Sequence, residues 1–281
     1  MFKIFLGIGA LVSAAAAYFS GVSGMEAVLR FVIYLAVYTV GMILLLVLVL
    51  AVMSSMVDKS KPQEKDNSVY RFMTVFTLNF AFDALNVKIH LMGEEKIPSG
   101  RFLLVQNHVS MFDPLSSLCA FNKYRVGFIT KPENEKLPIA GGFLHSICCL
   151  SIDRENPRNA VKTINAAVKY LEDDVCSIGL YPEGTRNSGK GLLPFHNASL
   201  KIATKAGVPI VVTSLKGTDK VKNFNPFVRK DIHINVCKVL PAEEVKGAQT
   251  AGISYEIRKA LCEDLGFDFD EESAAQREET V

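Results

Sequence analysis

Two side chains able to move a proton stand close together in the stretch Asn107-His108-Val109-Ser110-Met111-Phe112-Asp113-Pro114. An imidazole changes protonation near neutral pH, and a carboxylate within reach can hold its tautomer and stabilise its cation. His108 and Asp113 therefore have the makings of a general base acting on a hydroxyl. The alternative is structural, with His108 bonded to a backbone group and Asp113 serving only as a helix cap, since a histidine and an aspartate five apart is a loose pattern. Three further stretches carry polar groups suited to an anionic ligand: Lys131-Pro132-Glu133, Asp153-Arg154 and Tyr181-Pro182-Glu183-Gly184-Thr185-Arg186. Gly184 lets the backbone turn tightly, Thr185 offers a hydroxyl, and Arg186 a fork that matches phosphate oxygens. Taken singly, residues 181–186 read more readily as a surface turn with a solvated arginine and Asp153-Arg154 as a strand-exit ion pair.

The elements that must position these groups alternate in type. Apolar strand-like runs fall near 87–92, 102–106, 125–130, 148–152, 176–181, 208–215 and 231–239, with helical candidates at 114–122, 158–173, 197–206 and 249–264. Strands alternating with helices predict an α/β fold, a mostly parallel sheet flanked by helices. Each polar stretch then follows a strand, where open sheets of this class place their sites. Asp113-Pro114 reads as a helix start, with Asp at the N-cap and Pro at the first helical position.

Ahead of this domain lie two uncharged stretches, Ile4 to Met25 and Phe31 to Val57. The second is long enough for a helix to cross a hydrocarbon core of ~30 Å, which takes ~20 residues. The first, interrupted by glycines, reads as a second span, a re-entrant helix or a cleaved signal. Lys59, Lys61 and Lys65 follow the second stretch, which orients the rest of the chain to the cytoplasm. The expected organisation is a membrane-anchoring segment over 1–57, a linker and amphipathic helix over 58–85, a catalytic domain over 86–265 and an acidic tail over 266–281. Val69, Phe72, Met73, Phe76 and Phe80 give the helix of 69–85 an apolar stripe, suited either to core packing or to a bilayer interface.

Composition narrows the partners. Residues 263–281 hold eight acids against Arg277, a net of −7, so the overall +2 leaves +9 on residues 1–262. A basic body suits a phospholipid surface or a phosphorylated substrate, and no Lys/Arg run with interleaved aromatics points to nucleic acid. The six cysteines have no C-x-x-C spacing and read as small apolar residues of a reduced compartment; no metal is expected.

The four stretches occur in a characteristic order: Asn107-His108 with Asp113, Ile152-Asp153-Arg154, Tyr181 to Arg186, and Gly207-Val208-Pro209-Ile210-Val211. In that order, over roughly 85–220 and including Lys131-x-Glu133…Pro138-x-x-Gly141, the chain resembles the glycerolipid acyltransferase superfamily. Within it the chain is most similar to the 1-acyl-glycerol-3-phosphate (lysophosphatidic acid) acyltransferases. The resemblance implies that His108 is the general base and Asp113 its orienting carboxylate. Lys131, Arg154, Glu183, Gly184, Thr185 and Arg186 would bind the glycerol phosphate, and Pro209 would lie on the acyl-donor side. It also implies a membrane enzyme, with a lysophosphatidic acid acceptor, acyl-CoA or acyl carrier protein as co-substrate, and no further cofactor. Tyr181 stands where the family more often has Phe, Asn134 where it has Leu, and Phe195-His196-Asn197-Ala198 where many members have an aromatic followed by Lys-Gly. Other readings remain: another lysophospholipid or glycerol 3-phosphate as acceptor, a non-catalytic lipid-binding protein, or a serine hydrolase using Ser110.

Overall fold

The computed structural model describes residues 1–153, 156–187 and 191–269. Two helices open the chain, α1 (Phe2–Phe19) and α2 (Gly24–Ser55). Both are long and apolar enough to cross a membrane: at 1.5 Å per residue they reach about 27 Å and 48 Å. They pack side by side. Gly9, Ser13 and Ala17, spaced four apart, are the buried residues of α1, and a methyl at Gly9 would fall within 2.6 Å of the Tyr38 ring. Small residues on one stripe let two helices approach closely where no water drives them together.

Helix α3 (Ser68–Ala84) starts where Asn67 accepts the backbone N–H groups of Val69 and Tyr70. Met73, Phe76 and Phe80 of its stripe are half-buried. Phe82 is buried with Val87, Phe102 and Leu104, whereas Val69 and Phe72 are exposed. The segment before it is docked through a buried ion pair: Arg71 binds both carboxylate oxygens of Asp66 and donates to the carbonyls of Val126 and Ile147. Arg71→Met is expected to destabilise the protein by about 3 kcal/mol, because it takes the closest partner from a buried carboxylate and leaves it, among the described residues, only Arg125, at 3.2 Å. A thermal denaturation midpoint unchanged from the parent would refute this.

The domain that follows is built on a seven-stranded sheet. In chain order come β1 (Val87–Met92), β2 (Leu103–Gln106), α4 (Asp113–Ala120), β3 (Val126–Thr130), α5 (Pro132–Glu135), α6 (Ala140–Ser146), β4 (Leu150–Ser151), α7 (Pro157–Glu172), β5 (Ser177–Leu180), α8 (Lys201–Ala206), β6 (Ile210–Lys216), β7 (Lys230–Leu240), α9 (Ala242–Val245) and α10 (Thr250–Leu265). The spatial order is β1-β7-β6-β2-β5-β3-β4, and every pairing is parallel except β6 with β7. All seven strands stand where the sequence predicts them. The run at 148–152 shrinks to two residues because Cys148 takes a left-handed φ of +61°.

Each residue of β2 is fully buried, as a central parallel strand covered on both faces requires. Leu103 and Val105 face α7, α8 and α10; Phe102 and Leu104 face α3 and α4. The helical pair reaches this core through α6. Ser54, near the end of α2, bonds the Pro138 carbonyl, and a Cβ on Gly142 would lie 2.4 Å from the Ser54 hydroxyl. The six cysteines are free thiols.

Candidate active site

Strand β2 delivers His108 to the C-terminal edge of the sheet, and α4 brings Asp113 back to it. The His108 Nδ1 lies 2.7 Å from Asp113 Oδ2. The same oxygen accepts the backbone N–H groups of Val109 at 2.6 Å and Ser110 at 2.8 Å. Asp113 is fully buried. Its position differs by one residue from the sequence expectation: Phe112 is the N-cap and Asp113 the first helical residue. The carboxylate turns back onto the loop and the imidazole instead of capping its own helix. At the first turn of α4 it also sits where the helix dipole favours a negative charge.

The backbone of His108 is clamped as well. Its N–H donates to Glu183 Oε1 at 2.9 Å, and its carbonyl accepts the Asn187 N–H at 2.7 Å. The other Glu183 oxygen accepts from the Leu193 N–H and the Asn187 side chain. Burial raises the Glu183 carboxyl above its ordinary range, opposed by the N–H groups of His108 and Leu193. Glu183 also lines the cavity beside this loop. With both oxygens engaged by protein donors, it ties the loop after β5 to the loop after β2.

Gly184 beside it is buried at φ +71°, a conformation that favours glycine. Thr185 and Arg186 follow and are exposed. Lys131, just past β3, is exposed on the same edge of the sheet, since β3 lies next to β5 and β5 next to β2. Neither Lys131 nor Arg186 has an ion-pair partner among the described residues. Arg154 lies outside the described residues. Pro209 is not brought to the site. It precedes β6 at the opposite end of the sheet, where its carbonyl accepts the Leu103 N–H. Five residues of strand, about 17 Å, separate that level from His108.

Three contributors were not singled out by the sequence. Tyr181 stacks its ring on His108 with centroids 4.3 Å apart, and on Phe128 from behind. Asn107 exchanges two hydrogen bonds with the backbone of Leu215, pinning the exit of β2 to that of β6. Asn187 holds the His108 carbonyl. Their partners are distant in sequence, so only Tyr181, a polar ring directly after a buried strand, carried any local sign. A cavity of about 280 Å³ opens beside this loop, its lining both polar, with Glu183, Asn187, Lys216 and Asp219, and apolar, with Leu192 and Phe267 among others.

Residues 88–216 match the family model described as Acyltransferase. A 1-acyl-sn-glycerol-3-phosphate acyltransferase of Salmonella typhimurium is 30% identical over 183 residues, covering 64% of this chain and 73% of that protein. The chain belongs to this acyltransferase family. A second relative, the 1-acyl-sn-glycerol-3-phosphate acyltransferase of Haemophilus influenzae, is 27% identical over 56% of this chain and 64% of its own length. The acyltransferase also shares its fold with the crystal structure of the 1-acyl-sn-glycerophosphate (LPA) acyltransferase from Thermotoga maritima. That likeness has a TM-score of 0.56 at 20% identity and covers 96% of this chain and 100% of the other. As a family member the chain is an O-acyltransferase, and the two apolar N-terminal helices fit a membrane enzyme.

Proposed function

We propose that this enzyme moves a fatty acyl group from an acyl thioester, acyl-CoA or acyl carrier protein, to the 2-hydroxyl of 1-acyl-glycerol-3-phosphate, giving phosphatidic acid. The observation that carries the reading is the His108–Asp113 pair. With Nδ1 held by a buried carboxylate, the neutral ring presents Nε2 as the acceptor, and Nε2 makes no hydrogen bond among the described residues. The acceptor hydroxyl gives its proton to Nε2 as its oxygen attacks the thioester carbonyl. The tetrahedral intermediate collapses, the carbon–sulfur bond breaks, and the departing thiolate takes the proton from the imidazolium. A thioester leaves readily, so no enzyme nucleophile is needed.

Lys131 and Arg186, cations on the same edge with no ion-pair partner among the described residues, favour an acceptor carrying a phosphate, and Arg154 joins them on the family resemblance. The relatives' names support the same acceptor. The two apolar helices support an enzyme anchored in a bilayer, with Lys59, Lys61 and Lys65 orienting the catalytic domain to the cytoplasm.

The test is an acyl-transfer assay on the full-length protein with both donor types against 1-acyl-glycerol-3-phosphate, a 1-acyl-glycerophosphocholine and glycerol 3-phosphate. The first acceptor is expected to be preferred. Arg186→Ala should raise its KM about tenfold or more while the donor KM holds, and Arg186→Lys should restore little because the fork is lost. An unchanged acceptor KM would remove Arg186 from the site.

A covalent route through Ser110 is disfavoured by geometry. The Ser110 hydroxyl accepts the Phe112 N–H, and its backbone N–H is committed to Asp113; a nucleophile needs its oxygen held about 3 Å from the imidazole. Ser110→Ala should therefore keep activity within about a factor of ten, and steady-state lines against the two substrates should intersect. Parallel lines with acyl label trapped on Ser110 would overturn direct transfer.

A further inference from the structure

Between β6 and β7 the chain makes a projection that the proposed reaction does not use. Every residue from Lys222 to Arg229 is exposed. Phe227 is 91% exposed, Phe224 63% and Val228 46%. Two phenylalanines and a valine gathered on one exposed tip form the kind of apolar patch that marks an interaction surface.

The tip is held in one shape. The Asn225 side chain accepts the Phe227 N–H, the Asn223 side chain accepts the Asn225 N–H, and Val228 N–H donates to the Asn225 carbonyl. Beneath it Lys230, only 3% exposed, donates from Nζ to the carbonyls of Leu85, Asn225 and Val228. These bonds fix the backbone from which the exposed Phe227 and Val228 project.

Its neighbours say what it faces. Leu85 ends α3, and two residues earlier Asp83 accepts the Phe2 N–H at the start of α1, so the tip continues the foot of the apolar helical pair. On its other side Phe224 packs edge-on to Phe112, the residue before Asp113, and Met111 beside it is exposed. Lys220 and Lys222 flank the tip and are exposed, with no acidic partner among the described residues. Protruding apolar side chains beside two lysines that have no acidic partner among the described residues, and continuous with a membrane-compatible helix pair, fit an anionic bilayer.

We propose that residues 224–228 are a second membrane-contacting element. Phe224, Phe227 and Val228 enter the interface of an anionic bilayer while Lys220 and Lys222 meet its headgroups. The mouth of the His108 site then opens at the lipid surface, and an acyl-bearing acceptor passes to it without crossing water. The delivery role rests on the reading of the acceptor as a membrane lipid; the contact itself does not.

The chain contains no tryptophan, so Phe227→Trp supplies a sole fluorescent reporter. The full-length variant is placed in phosphatidylcholine–phosphatidylglycerol bilayers with and without bromine on the acyl chains. A matching Val161→Trp variant, at a 53% exposed position on α7 across the sheet, reports on water. The expected result is blue-shifted emission quenched at least twofold by brominated lipid at position 227, and neither change at 161. Unquenched, water-like emission at 227 overturns the proposal. So does a blue shift that appears in detergent as protein concentration rises, which would assign the tip to a contact with a second copy.

This readout needs no turnover and holds whatever the enzyme acylates. Kinetically, Phe227→Ser with Val228→Ser should raise the apparent KM for a long-chain acceptor in vesicles about tenfold. The KM for a short-chain acceptor dissolved as monomer should hold. Equal effects on both acceptors overturn the delivery role.

Discussion

His108→Ala is expected to lower turnover by about 10²–10⁴, the usual contribution of a positioned general base, with little change in thermal stability. The second half follows from what the ring touches. Its side chain is 18% exposed, stacks on Tyr181 and gives one bond to Asp113. Removing it leaves Asp113 Oδ2 with the N–H groups of Val109 and Ser110, and leaves the backbone clamp of Glu183 and Asn187 in place. The loop therefore keeps its shape without the imidazole. Single-turnover rates measured beside a denaturation midpoint separate the two effects. A folded variant with near-parental turnover would sink the general-base assignment, and one that fails to fold would show His108 to be structural.

How far the sequence carried this reading depends on the range of each interaction. Strand positions were legible because burial on both faces writes itself as an apolar run, as in Phe102 to Val105. The His108–Asp113 pair was legible because both partners lie on one short loop. That Glu183 braces two loops was not legible: its donors sit at 108 and 193, and nothing local distinguishes a carboxylate that binds backbone from one that binds substrate. Pro209 was grouped with the site by motif order alone, and a parallel register sets it at the far end of its strand. The docking of Arg71 was not legible, since two of its partners are the carbonyls of Val126 and Ile147, far along the chain. Exposure is the least legible property of all. Phe224 and Phe227 stand among asparagines and a proline in a segment with no periodicity to say whether their rings turn inward or out.

Asp113→Asn is expected to lower turnover by about 10³ while leaving the loop intact, because the substitution removes charge and keeps geometry. Oδ2 receives three donors, the His108 ring and the N–H groups of Val109 and Ser110. An asparagine must turn its carbonyl oxygen to that side, since its amide would oppose three N–H groups. The ring thus keeps the same tautomer, with Nε2 still the proton acceptor. What disappears is the negative charge that steadies the imidazolium once it has taken the acceptor's proton. A unit charge at this range, partly screened, is worth about 4 kcal/mol, close to three decades in rate. The asparagine NH₂ replaces Oδ1, which is buried and has no hydrogen-bond partner among the described residues, so a stability loss of about 1–3 kcal/mol accompanies the change. Asp113→Ala provides the contrast: it strands the Val109 and Ser110 N–H groups as well, and should lower the midpoint further while costing at least as much activity. If the asparagine variant turned over like the parent and only the alanine variant failed, Asp113 would be a loop brace whose charge does no chemistry, and the proton would have to leave the acceptor by another route.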